Sequence, residues 1–415
     1  MQDLDCATNR ATDRTRRPLA GTRICLIFEH DLGHYTRILQ EIKALQEAGA
    51  QVQLLTSHRG SADAPADVQR AVTPAAPAKP PSTRTTTRIV RGIRARLTAP
   101  AYAIARAVAL RRIAGDVDLF WIVDFPSLPA GMRVAARAHV PVVYETVDLV
   151  PEYLHGGNRR RRRALSAERV LVGQVDGFIT ASDSYADYYM EHYGSILQRR
   201  PVVRDNTPEH IVDGVRPSRQ PLRLLFLGSL MFDRPIMELI QAMALTHADV
   251  DLTFQGENYL GDAPIRRIAE LGLDARVRVL KPSPPETIVE TAAAYDVGIV
   301  ALRGADENER RASTSKLFTY AAAGLALLGS DLPGIARIVE CYRNGMLVET
   351  MQPQAWAAAF DAIAALPESA LRSMKQRSLE FAAGRSWQQQ KSAFIAEFVR
   401  ACGGVQRAEE PHQSG

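Results

Sequence analysis

Short apolar runs recur along this chain, each followed by a segment with helical spacing, and the pattern occurs twice. Starting at Thr22, residues 23–28 (RICLIF) form a run suited to a buried parallel strand. Residues 34–48 follow, with Ile38, Ile42 and Leu45 at helical intervals and Gly49 as a stop. Further strands are expected at residues 51–56, 118–123, 140–144 and 177–180. A second series starts at residues 222–228 (LRLLFLG) and continues at 251–254, 277–280, 297–301 and 325–329. Strands separated by helices imply parallel sheets with crossover connections, which place ligands at strand carboxyl ends. Between the two series, residues 204–221 are rich in proline and charge and lack periodicity, which predicts an interdomain linker. Residues 59–81, rich in Ala, Pro and Ser, read as a long loop, residues 88–112 as an arginine-rich helix, and the chain beyond Gln354 as mostly helical to Cys402.

Length and composition agree with two domains. The chain has 415 residues, more than one ordinary core accommodates. Hydrophobic residues make up 46% and charged residues 23%, as in soluble globular proteins. The formal net charge is +5, carried by arginine far more than lysine. No window reaches the roughly 18 apolar residues of a membrane span. Residues 1–19 read as a polar tail without the apolar core of a secretory signal. The four cysteines (Cys6, Cys25, Cys341, Cys402) form no CxxC pair, which predicts neither a zinc site nor a disulfide frame and suits a reducing cytoplasm.

The most informative local stretch is residues 313–330. A polar Ser313, Thr314, Ser315 loop ends in Lys316, a small-residue helix follows, Gly324 stops it, and a short buried strand comes next. Lys316 then falls in a first helical turn, where free N–H groups and a cation together suit a phosphate. A plain αβ unit with a solvated lysine fits the same residues. Gly228 ends the first strand of the second series, and Arg234 follows before the next helix. A glycine there admits close backbone approach, and a guanidinium supplies paired donors for a diphosphate. Both cations follow strand ends of one predicted sheet. The run Arg159 to Arg163 is the sharpest charge feature, compatible with contact to an anionic lipid surface or with a solvated helix face. No aromatic platform accompanies it, so nucleic acid is not expected.

In its second half the chain resembles retaining glycosyltransferases of family four. The matching features are Gly228 with Arg234, the strand end at Gly256, residues 294–299 (AYDVGI), residues 315–320 (SKLFTY) running to Gly324, and Asn344 with Gly345. In the first half Asp31, Gly33 and Arg37 lead into a helix, Asp124 ends a strand, and residues 143–148 (VYETVD) with Pro151 and Glu152 are similar to a further family motif. Trp387 resembles the aromatic that opens the last helix. The likeness covers roughly residues 22–400.

The resemblance implies an α/β GT-B fold, two Rossmann-like doubly wound domains facing a cleft, with a C-terminal helix crossing back. The expected divisions are a disordered tail at 1–20, an acceptor domain at 21–205, a linker at 206–220, a nucleotide-sugar domain at 221–385, a returning helix at 386–402 and a tail at 403–415. It implies hexosyltransferase-like transfer, without a metal or other cofactor, from a nucleotide-diphosphate sugar co-substrate to a hydroxyl acceptor, in glycan, polysaccharide or glycolipid synthesis. Arg234, Lys316 and Asp124 are the catalytic candidates. Gly228, Ser229, Glu309, Ser315 and Thr319 are donor-binding candidates, and His30, Gly33 and His34 acceptor-binding ones. A cytoplasmic protein, peripheral at the inner membrane face through Arg159 to Arg163, is the expected setting.

Several positions depart from the family pattern. Of two glutamates that members commonly carry, one falls at Thr319 and the other at Arg311, with Glu309 close but out of register. Ser229 stands where many members have arginine, and Val123 and Val147 replace histidines. A sugar-nucleotide epimerase of the same fold and a non-catalytic nucleotide-sugar-binding homologue therefore remain alternatives.

Overall fold

The computed structural model describes residues 17–28, 35–56, 69–72, 117–154 and 158–408. The chain divides into two units. One contains residues up to 181, residues 186–203 and residues from 391 onward. The other contains residues 182–185 and 204–390. The segment expected as a linker thus clusters with the second unit, where the buried Lys375 ammonium holds the Arg216 carbonyl at 2.8 Å and pairs with Asp296 at 3.1 Å.

The first unit is built on seven parallel strands: β1 (Arg23–Ile27), β2 (Gln51–Thr56), β3 (Gln69–Val72), β4 (Leu119–Val123), β5 (Val142–Thr146), β6 (Gly177–Thr180) and β7 (Val202–Val203). Their order is β3-β2-β1-β4-β5-β6-β7. The second unit has six parallel strands: β8 (Leu222–Leu227), β9 (Val250–Gln255), β10 (Val277–Leu280), β11 (Val297–Val300), β12 (Ala326–Ser330) and β13 (Gly345–Val348), in the order β10-β9-β8-β11-β12-β13. Both sheets follow the doubly wound pattern, in which the chain leaves the first strand in one direction and returns to its other side. Central strands such as β4 (LFWIV) are buried along their whole length, which is why continuous apolar runs locate them.

Three strands were not legible in the sequence. Gln69–Val72 lies inside the stretch read as a loop, Val202–Val203 spans two residues, and Gly345–Val348 opens on a glycine. All three occupy sheet edges, where a strand has one neighbour and no need of an unbroken apolar run. The arginine-rich segment 88–112 lies outside the described residues.

The last helix, Trp387–Ala408, places Phe394 and Phe398 edge-on against Trp121 of β4, with ring centroids 6.0 and 5.6 Å apart. Its Glu397 accepts from the Phe178 amide at 2.6 Å and pairs with Arg400 at 2.9 Å.

In the second sheet, β8 and β11 pair only at Leu224 with Val297 and Leu225 with Gly298. Beyond that the Tyr320 hydroxyl bridges them, accepting from the Leu227 amide at 2.6 Å and donating to the Ile299 carbonyl at 3.2 Å. The ring fits because residue 298 is glycine: a Cβ there would lie 2.2 Å from Tyr320 Cγ. Tyr320→Phe removes the acceptor for a buried amide. We expect it to fold but to lose about 1–3 kcal/mol in denaturant unfolding; unchanged stability would show the hydroxyl to be dispensable.

Candidate active site

In the second unit, the loops after β8 and β11 leave the carboxyl edge of the sheet at its topological switch point. Gly228 directly follows β8 with φ of +124°, a conformation that side chains oppose. A Cβ at this position would lie 3.1 Å from Lys316 Nζ, so the lysine amine rests against the bare face of the glycine. Gly256, after β9, is equally constrained, because a Cβ there would come within 2.1 Å of the Gly228 carbonyl oxygen.

Lys316 is the second residue of the helix Ser315–Ala322. This helix has no side-chain cap. Thr314 occupies the N-cap position without a capping bond, and the Ser313 hydroxyl instead donates to the Gly334 carbonyl at 3.1 Å. The first turn is left without a side-chain acceptor, and its N–H groups remain suited to an anion. Gly324 closes the helix with φ of +69°. Among the described residues the Lys316 ammonium has no hydrogen-bond or ion-pair partner, and it lies 4.8 Å from the Phe226 ring centroid. Burial, and secondarily the Arg234 charge, push its pKa down to about 7, against the opposing pull of Asp233 and Glu309.

Arg234 precedes the helix Ile236–Leu245 and is bound through Nη1 to Glu309 at 3.4 Å. Glu309 is itself held by the Ala305 amide at 2.8 Å, while its own amide donates to the Asp306 N-cap at 2.8 Å. Glu309 therefore joins the cationic cluster. Ser229 is part-buried immediately after Gly228. Ser315 is exposed, and its carbonyl accepts the Thr319 hydroxyl at 3.1 Å, so that hydroxyl is spent within its own helix. Arg311, where the family pattern places an acid, pairs with Glu307 at 2.6 Å.

Sequence reasoning missed Arg303 and Asp233. Arg303 follows β11 and donates to the carbonyls of Asp233 at 3.1 Å and Arg234 at 3.4 Å, and to Glu238 at 2.8 Å. It fixes the backbone that carries Arg234. The available signal was its place: a basic residue just past the strand neighbouring β8, mirroring Arg234.

The first unit carries Asp124 at the corresponding switch point, directly after β4. Asp124 has φ of +61°, and its carboxylate accepts from the amides of Val147 at 2.9 Å and Asp148 at 3.4 Å. Burial, followed by the Asp148 charge, raises its pKa to about 7. Tyr35 is pushed up to about 12 by burial and by Asp124 and Asp148. Beneath them, the buried Arg37 is bound to Glu41 at 2.9 Å and to Glu145, which also accepts from Trp121 at 2.9 Å. His30, Gly33 and His34 lie outside the described residues. A cavity of about 420 Å³, lined by Asp118, His139 and Cys402 among others, opens at the opposite edge of this sheet, where β1, β4 and β5 begin.

Residues 33–204 match the family model described as "Glycosyl transferase 4-like domain", and residues 221–365 that of "Glycosyl transferases group 1". The chain is 32% identical over 142 residues to a D-inositol 3-phosphate glycosyltransferase of Nocardia farcinica, covering 34% of this chain and 30% of that protein. It is 31% identical over 119 residues to the protein of that description from Corynebacterium urealyticum, covering 29% and 26%. These matches span less than a third of the relatives' length. In fold, the chain is similar to sucrose-phosphate synthase of Thermosynechococcus elongatus (TM-score 0.67, 16% identity, 92% of this chain and 100% of that one). It is also similar to HepE of Anabaena in complex with UDP and glucose (TM-score 0.62, 15% identity, 91% and 99%).

The charges around Lys316 make its titration a direct probe of the cluster. Arg234→Gln removes a repelling cation and should raise the Lys316 pKa, whereas Glu309→Gln removes an attracting anion and should lower it. NMR titration of labelled lysine reads both, and no movement in either variant would show that the three side chains are not coupled.

Proposed function

Because this chain belongs to the family-four glycosyltransferases of GT-B fold, we propose that it moves a sugar from a nucleotide-diphosphate donor to a hydroxyl acceptor with retention at the anomeric carbon. The observation that carries this reading is the Lys316 ammonium, unpaired among the described residues and seated against Gly228, with Arg234 close by. An anion is the missing partner of that arrangement. A diphosphate supplies two negative groups, and its charge rises as the anomeric C–O bond breaks.

In this reaction the acceptor oxygen forms the new bond to the anomeric carbon as the bond to the diphosphate breaks. The departing phosphate oxygen takes the acceptor's proton. Lys316 and Arg234 stabilise the leaving group, Glu309 and Arg303 hold Arg234 in place, and first-turn N–H groups of the Ser315–Ala322 helix add to the field. Gly228, Ser229 and Ser315 frame the donor. We assign acceptor recognition to the first unit and to Asp124, whose raised pKa leaves it able to exchange a proton near neutrality. Solved structures of HepE with UDP and with UDP-glucose make uridine diphosphate sugars the first probes. A hexose donor, a glycan or lipid-linked acceptor and a role in polysaccharide or glycolipid synthesis belong to the same reading.

One observation favours a second reading. Thr319, at the position of a family glutamate, turns its hydroxyl into its own helix and offers no carboxylate. A chain that keeps the diphosphate site and lacks that acid fits a nucleotide-sugar-binding homologue without transfer. A screen of nucleotide sugars by thermal shift, with sugar release followed in parallel, separates the two, since a ligand at 100 times its Kd stabilises by about 2.7 kcal/mol. Stabilisation without turnover under any acceptor would select the second reading.

Two outcomes test the diphosphate site. Lys316→Ala should keep its fold and lose about 10²–10³ in transfer rate; near-normal turnover would remove the lysine from the reaction. Donor affinity should also depend on pH. The free amine has its pKa near 7, and a bound diphosphate raises it, so binding takes up a proton above that pH. A sugar diphosphate diester has no proton of its own to lose there. Affinity should therefore weaken by up to about tenfold per pH unit above neutrality, an effect absent in Lys316→Ala.

A further inference from the structure

The helix Asn158–Val172 (NRRRRRALSAERVLV) carries six arginines and one glutamate. Its Glu168 is buried and accepts the hydroxyls of Tyr189 at 2.9 Å, Tyr144 at 3.2 Å and Tyr193 at 3.3 Å, so the only carboxylate of this helix is consumed inside. Arg161 also turns inward, to Glu152 at 2.9 Å. Arg159, Arg162, Arg163 and Arg169 are exposed, together with Val170, which is 60% exposed. Residues 159, 162, 163, 166 and 170 fall on one stripe at helical spacing. The helix Leu128–Ala138 packs against this one and adds exposed Arg133 and Arg137, with no carboxylate in its own sequence. Arginines in a first turn oppose the positive end of the helix dipole, so this arrangement costs stability rather than supplying it.

We infer that the arginine stripe of the helix Asn158–Val172 docks on an anionic lipid surface. Guanidinium groups unopposed by carboxylates on either helix match a layer of phosphate headgroups, and the exposed valine beside them suits the interface. Position gives the surface a use. Arg161 ties the helix to Glu152 in the turn Val150–Tyr153, and just before that turn Val147 and Asp148 hold the Asp124 carboxylate. One helix thus carries the lipid-facing stripe on its outer side and is tied on its inner side to the turn next to the Asp124 loop, and we take the acceptor to be one carried by the membrane. This last step rests on the glycosyltransferase reading; the docking itself does not.

The test is flotation of the full chain with vesicles of phosphatidylcholine alone or mixed with phosphatidylglycerol. The protein should float with the mixed vesicles only, and salt should release it. R159Q/R163Q should weaken binding about 25-fold, at about fivefold per arginine, the equivalent of ~1 kcal/mol each. R159K/R163K should retain it, which separates charge from folding. Equal binding to both vesicle types, or full binding by R159Q/R163Q, overturns the proposal. So does stripping by single-stranded RNA with no preference between vesicles, which would mark a nucleic-acid surface. Donor-induced thermal stabilisation is measured on the same samples. Flotation without any such stabilisation upholds the surface while removing support for the transferase reading, and stabilisation without flotation does the reverse.

Discussion

The proposed donor site depends on how the second sheet is held open at its switch point. Strands β8 and β11 diverge after Leu225 and Gly298, and the Tyr320 hydroxyl occupies the gap. Tyr320 lies four residues after Lys316 in the same helix, hence on the same face. Anchoring the tyrosine to the Leu227 amide therefore fixes where the lysine falls: over Phe226 and against Gly228. Two glycines make this possible for opposite reasons. Gly298 gives room to the ring, and Gly228 takes a backbone conformation that other residues resist. A single buried hydroxyl thus connects strand geometry to the placement of a cation.

That cation is left incomplete by design of its surroundings. Arg234 is shared with Glu309, and its backbone is clamped by Arg303, whereas Lys316 forms no ion pair among the described residues and feels Asp233 and Glu309 only at a distance, against the repelling Arg234 guanidinium. The part-buried ammonium is desolvated without a paired anion among the described residues, which lowers its pKa. A bound anion would raise that pKa again.

Much of this was legible in the sequence. Gly228, Arg234, Lys316 and Gly324 stand at chain positions where strand ends and helix starts are marked by apolar runs and a glycine stop, and central strands announce themselves because both faces are buried. The edge strands Gln69–Val72, Val202–Val203 and Gly345–Val348 could not be read this way, since a strand with a single neighbour has no need of an unbroken apolar run. Ser313 is drawn to the Gly334 carbonyl, a partner 21 positions away that local sequence does not reveal. Arg303 was missed for the same reason: its partners, Asp233 and Arg234, lie about 70 residues earlier and become neighbours only through the adjacency of β8 and β11. What the sequence withholds is long-range pairing of polar groups, which has no periodicity.

The two units use one strand order for opposite electrostatics. At the switch point of the second sheet the side chains past the strand ends are Lys316, Arg234 and Arg303; at that of the first they are Asp124 and Asp148, with Arg37 neutralised below by Glu41 and Glu145. A topology that delivers residues to the same edge twice does not choose their charge. The cationic edge suits an anion, and the carboxylate edge suits a hydrogen-bond donor such as a hydroxyl. The Asp124 carboxylate and the Lys316 ammonium both have pKa values moved toward neutrality, one upward and one downward, and each by burial before charge. Desolvation is thus the common cause at the end of β4 and in the first turn of the helix Ser315–Ala322, and the identity of the side chain placed there sets the direction of its effect.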